Sequence, residues 1–60
     1  MRAEAKYEID GWIRYEIWDG TSHALKNRAR EKMRHGAYSI TLSLPDGSTL
    51  FHLQSTRMHP

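Results

Sequence analysis

The chain has 60 residues, nine of them Lys or Arg against seven Asp or Glu, giving a formal net charge of +2, and it has no cysteine. A length like this makes one domain that buries only about 60% of its unfolded surface, which leaves little room for a deep substrate pocket. The missing cysteine excludes disulfide staples and thiolate metal sites. No run approaches the roughly 18 apolar residues of a membrane span, and the N-terminus alternates charges where a signal peptide needs an apolar stretch, so a soluble, cytoplasmic protein is expected.

From Lys6 to Trp18 the residues alternate as in a strand, with Tyr7, Ile9, Ile13, Tyr15 and Ile17 on one parity and Lys6, Glu8, Asp10, Arg14 and Glu16 on the other. Asp10-Gly11 suits a two-residue hairpin turn, but that turn sets Glu8 opposite Ile13 and Tyr7 opposite Arg14. The alternation across Gly11 favours one long strand over about residues 6–18, locally weakened at the glycine, with the hairpin as the alternative. Trp12 and Trp18 fall on the polar parity, where they either pack at a sheet edge or face a partner. Asp19-Gly20 ends the strand, and Thr21 or Ser22 is placed to cap a helix over about residues 22–35 that closes at Gly36. Leu25, Ala29 and Met33 recur every four residues as a narrow apolar stripe suited to rest on a sheet.

After the cap, Tyr38, Ile40, Leu42 and Leu44 alternate with Ser39, Thr41 and Ser43, and Pro45-Asp46-Gly47 signals a turn, so a hairpin is expected over about residues 37–55. The register that buries Phe51 and Leu53 pairs Leu42 with Phe51, Ile40 with Leu53 and Leu44 with Thr49. That register is preferred over a plain three-residue loop, which pairs Leu42 with Leu50 and Ile40 with His52, although Pro-Asp-Gly is also at home in a three-residue bulged loop. Residues 56–60 are expected to fray. The elements describe a single α+β domain over residues 1–60, with a β-α-β-β order, a three-stranded mainly antiparallel sheet and the helix on one face. The expected core is Ile9, Ile13, Tyr15, Ile17, Leu25, Ala29, Met33, Ile40, Leu42, Phe51 and Leu53. The opposite sheet face would carry Trp12, Arg14, Trp18, Thr41, Leu50, His52 and Gln54. Exposed edge strands also make a homodimer by sheet extension an open alternative.

Charge is distributed unevenly along this order. Residues 1–20 hold five acids and three bases, residues 21–36 hold five bases and one acid, and residues 37–60 hold one of each. The helix is therefore the positive pole, with Lys26, Arg28, Arg30, Lys32 and Arg34 packed into nine positions beside the single acid Glu31. Lys26, Arg30 and Arg34 form an i,i+4,i+8 row able to follow a phosphate backbone, with Asn27 as a polar neighbour. A solvated helix face, partly explained by basic residues suiting the helix C-terminus, is the plain alternative.

Catalytic patterns are weak by comparison. His23, His35, His52 and His59 show no recurrent metal-ligand spacing, no His-Ser-Asp set can be assembled, and Glu8 and Asp10 share a surface with no apolar pocket to raise a carboxylate pKa. No enzyme, cofactor or metal is expected. The expected partner is an acidic surface on a protein or nucleoprotein complex, or DNA or RNA itself. Lys26, Asn27, Arg28, Arg30 and Arg34 are its electrostatic contacts, and Trp12 and Trp18 are candidate anchors.

With the basic helix segment A-L-K-N-R-A-R-E-K-M-R-H-G ahead of a P-D-G hairpin, the chain resembles small phage-encoded anti-CRISPR proteins in size, element order and charge placement. The resemblance implies a non-enzymatic inhibitor acting in the host cytoplasm. Such an inhibitor would occupy a surface of a nucleoprotein machine meant for nucleic acid.

Overall fold

A computed structural model of the chain describes residues 1–56 and shows five elements: β1 (Arg2–Ile9), β2 (Trp12–Asp19), α1 (Ser22–Arg34), β3 (Ser39–Ser43) and β4 (Thr49–Gln54). The strands form one antiparallel sheet in the order β2-β1-β3-β4, so α1 carries the chain from an outer strand to the far side of β1. The α+β class expected from the sequence holds, but the sheet has four strands. The expected tail falls largely on residues 57–60, outside the described residues.

The difference lies at Asp10-Gly11. These two residues have φ of 52° and 81°, and positive φ at both central positions is what a two-residue hairpin turn of the twist-compatible kind requires. Local turn chemistry therefore overrides the alternation that runs through it. The hairpin pairs Ile9 with Trp12, Tyr7 with Arg14 and Ala3 with Trp18. Because paired residues share a face, the parity reverses across the turn: odd residues of β1 lie with even residues of β2. β1 also begins earlier than expected. Its alternation of Ala3, Ala5 and Tyr7 with charged neighbours is as regular as that of the later residues, with small side chains in place of large ones.

The core is correspondingly redistributed. Ala3, Ala5, Tyr7, Trp18, Leu25, Ala29, Ala37, Ile40 and Leu42 are buried, with Ile9, Met33, Leu44, Leu50, Phe51 and Leu53 packed against them. Ile13, Tyr15 and Ile17, expected inside, lie on the outer face of β2. Trp18, expected on the bare face, is 1% exposed. The alanines of β1 stand beside large neighbours, Ala3 against Trp18 of β2 and Ala5 against Leu42 of β3, so a large side chain on each flanking strand fills the layer over β1.

The helix follows its sequence signals. Thr21 Oγ1 accepts a hydrogen bond from the Ala24 N–H at 3.1 Å, satisfying an amide that the first turn leaves free. At the other end the Ala37 N–H donates to the Lys32 carbonyl and the Gly36 N–H to the Met33 carbonyl, a Schellman closure made possible by Gly36 at φ 109°. Leu25 and Ala29 are buried and Met33 half-buried, as the stripe implies. In the second hairpin Leu42 pairs with Phe51 and Ile40 with Leu53, the core-facing register, while Ser43 pairs with Thr49. A bulge absorbs the difference. The tip is a three-residue loop, with the Gly47 N–H on the Leu44 carbonyl and the Leu44 N–H on the Ser48 carbonyl, and the extra residue restores the register that turns the half-buried Phe51 and Leu53 toward the core.

Candidate binding face on the helix

The five cations of α1 divide into two flanks and a C-terminal end. On the β2 side the Arg28 guanidinium lies 4.3 Å from the centre of the Trp18 ring and the Lys32 ammonium 4.9 Å from that of Tyr7. On the β4 side Lys26 and Arg30 share the half-buried ring of Phe51, at 5.8 and 5.2 Å. Each pair is an i,i+4 step, so the helix period and the sheet beneath it place two cations over aromatic faces on either flank. The stems cover apolar surface and the charged heads reach water. Arg34 stands apart at the end of the helix, where Glu31 forms an ion pair with it and lies 3.4 Å from His35 Nε2.

Glu16 organises the β2 flank. Its Oε2 accepts from the Tyr7 hydroxyl at 2.5 Å, and its Oε1 accepts from the Trp18 indole N–H at 2.8 Å and lies 3.9 Å from Arg28. The Tyr7 hydrogen bond, then that of Trp18, hold its carboxyl below the ordinary value near 4.5, with Lys32 and Arg28 adding attraction. A carboxylate bridging two buried ring donors thus anchors the surface on which Arg28 rests. Along the crest, Arg30 donates to Asn27 Oδ1 at 2.9 Å, and Asn27 Nδ2 lies 3.2 Å from His23 Nε2, giving a polar ridge over two turns.

Among the expected site residues, Lys26, Asn27, Arg28 and Arg30 come together on this face, and Arg34 lies at its C-terminal end. The tryptophans do not join them as a pair. Trp18 is buried beneath Arg28, because the hairpin turns its parity inward, and is removed as an anchor; Trp12 is 70% exposed, at the start of the outer strand β2. Sequence reasoning missed Phe51, Tyr7 and Glu16 as parts of the face. Their contribution depends on strands that pair across the chain, and no local spacing announces it.

A cleft of about 590 Å³ opens at the C-terminal end of α1, bounded by Glu8, Asp10, Gly11, Arg34, His35 and Tyr38 among others. Its charges are of both signs. No group of three or more His, Asp or Glu side chains suited to a metal ion occurs among the described residues. No helix among them is long and apolar enough to cross a membrane. Comparison with family models, curated proteins and solved structures yields no match to this chain.

Proposed function

We propose that the protein is a non-enzymatic binding protein that docks on an acidic nucleoprotein surface through α1, in the cytoplasm and in the manner of small phage-encoded inhibitors. The observation that carries this reading is the two-flank array of Arg28 and Lys32, and of Lys26 and Arg30, each seated over aromatic rings. Among the described residues only Glu16 and Glu31 stand within ion-pair distance of the helix cations. Stacking uses the face of a guanidinium and leaves its in-plane N–H donors for carboxylates or phosphates. The rings beneath are covered by those same cations. Stacking on bases is therefore not part of the interaction, and it should be indifferent to nucleotide sequence. Size and charge placement remain the grounds of likeness to phage inhibitors; the fourth strand removes element order from them.

Direct binding of nucleic acid is the competing reading, supported by the polar ridge of His23, Asn27 and Arg30. Two measurements separate them. Immobilised protein should retain a nucleoprotein complex from cell lysate, less as salt rises, and the triple variant Lys26→Glu, Arg30→Glu, Arg34→Glu should release it while keeping its circular dichroism. Equal retention by the variant would overturn the docking proposal. Anisotropy with random duplex and single strands decides the second: naked nucleic acid bound with a salt slope of about one per phosphate contact establishes direct binding.

A further inference from the structure

The two outer strands of the sheet are finished differently. β4 is short, interrupted by the bulge near Ser43, and presents Thr49, His52 and Gln54 as exposed side chains. Shortness, bulges and polar side chains are how sheet edges avoid pairing with another chain. β2 has eight residues in unbroken register, and its outer face carries Ile13, Tyr15 and Ile17 at 49, 61 and 60% exposure, with Trp12 at 70% on the other face. An apolar strip on this scale, beside an open edge, is of the kind that marks an interaction site.

In an antiparallel ladder directly hydrogen-bonded pairs alternate with non-bonded ones. The Gly20 N–H donates to the Met1 carbonyl at 2.9 Å. Counting back along the register, Trp18, Glu16, Arg14 and Trp12 are the β2 residues bonded to β1. The N–H and C=O groups of Ile13, Tyr15 and Ile17 therefore point away from the sheet, ready to pair.

We propose that this edge pairs with β2 of a second copy of the chain, antiparallel about a two-fold axis at Tyr15, to form a continuous eight-stranded sheet. Bonding through the odd residues restricts the registers, and charge selects among them. With Tyr15 opposite the partner's Tyr15, Ile13 faces the partner's Ile17 and Arg14 faces the partner's Glu16, all along the strand. Moving the axis to Arg14 sets that arginine on its own copy, and moving it to Glu16 does the same to a carboxylate, both repulsive. Axes at Ile13 or Ile17 shorten the overlap and remove the Arg14–Glu16 pairing. One register alone matches apolar with apolar and positive with negative over the whole strand. Because the axis is perpendicular to the sheet, both α1 helices lie on one side and the two apolar strips join on the other.

The test exploits the register. Sedimentation equilibrium from micromolar to near-millimolar protein should show twice the 7.0 kDa chain mass at high concentration. The double variant Ile13→Lys, Ile17→Lys sets like charges opposite each other twice and should be monomeric. The variant Ile13→Lys, Ile17→Glu removes the same apolar surface but faces opposite charges and should stay dimeric. Both positions are exposed, and circular dichroism with thermal melts checks that each variant folds. In this cysteine-free chain, Tyr15→Cys should also oxidise to a covalent dimer, because directly bonded partners sit about 5.5 Å apart at Cα, within disulfide reach. A wild-type chain that is monomeric throughout overturns the proposal and leaves the edge for a foreign extended peptide. So does equal dissociation of the two double variants.

Discussion

Removing the Glu16 side chain should destabilise the protein out of proportion to its partly open position. Glu16→Ala leaves the Tyr7 hydroxyl and the Trp18 indole N–H without their acceptor, and these residues are 4% and 1% exposed. A buried donor stranded in this way costs about 1–3 kcal/mol, and a hydrogen bond to a charged acceptor contributes about 1.5–3 kcal/mol. Water reaches the site from the Glu16 side, so the two losses together should come to about 2–3 kcal/mol rather than their full sum. For a domain of this size each kcal/mol moves the melting temperature by about 4–8 °C, so the variant should melt roughly 10–20 °C lower. Glu16→Gln keeps one acceptor for the Trp18 N–H and turns its amide N–H to the Tyr7 oxygen, losing charge assistance and the acceptor of the Tyr7 proton, about 1–2 kcal/mol. Urea unfolding followed by far-UV circular dichroism measures both, and a double-mutant cycle with Tyr7→Phe isolates the Tyr7 share. If Glu16→Ala has the wild-type urea midpoint, or the cycle shows no coupling, the bridge does not hold the β2 flank together and the support beneath Arg28 must be sought elsewhere.

Three further outcomes are expected. Because the folded-state pKa of Glu16 lies below its ordinary value, the unfolded chain binds more protons as pH falls through that range; stability is fully present above about pH 4.5, is lost toward lower pH, and the acid-side slope of the urea midpoint should be smaller in Glu16→Gln. Gly11→Ala places a side chain at φ 81° with nothing within 4 Å to obstruct it, so the cost is conformational alone, about 1 kcal/mol in urea unfolding, and Gly11→Asn should recover part of it. Thr21→Ala removes the acceptor for the Ala24 N–H and should cost about 1 kcal/mol in thermal unfolding, with Thr21→Ser close to wild type.

The helix and second hairpin were legible because their signals are local. A cap, a stripe of Leu25, Ala29 and Met33 and a glycine at the C-terminus act within a few residues, and the pairing of Leu42 with Phe51 is the register that turns both toward the core. The candidate face was half legible for the same reason. Its cations are written on one helix, while the rings and the carboxylate beneath them come from β1, β2 and β4, joined by long-range pairing. The first hairpin shows a different limit. A period of two identifies the residues that share a face within a strand and is blind to a two-residue turn, after which the opposite parity shares that face. Asp10-Gly11 carried the information; the alternation beyond it pointed the other way.

That conflict bears on the edge of the sheet. As part of one strand, Ile13, Tyr15 and Ile17 would be core; in the hairpin they form the outer face of β2, while Arg14 and Glu16 turn toward the helix. Natural sequences tend to agree with their fold at every level, and a strand with its apolar residues on the solvent side is a local disagreement. Glu16 removes part of it, since its inward position is used by Tyr7 and Trp18. The Lys6 ammonium lies 5.9 Å from the centre of the Tyr15 ring, but Arg14 and the two isoleucines of the strip have no such use among the described residues. Pairing about Tyr15 supplies it, because the same register sets Arg14 against the partner's Glu16 and covers the strip's edge with its own copy. The charged parity and the apolar parity of β2, inconsistent with a lone sheet edge, are both consistent with the middle of a wider sheet, and on that sheet the two basic helices stand side by side on one face.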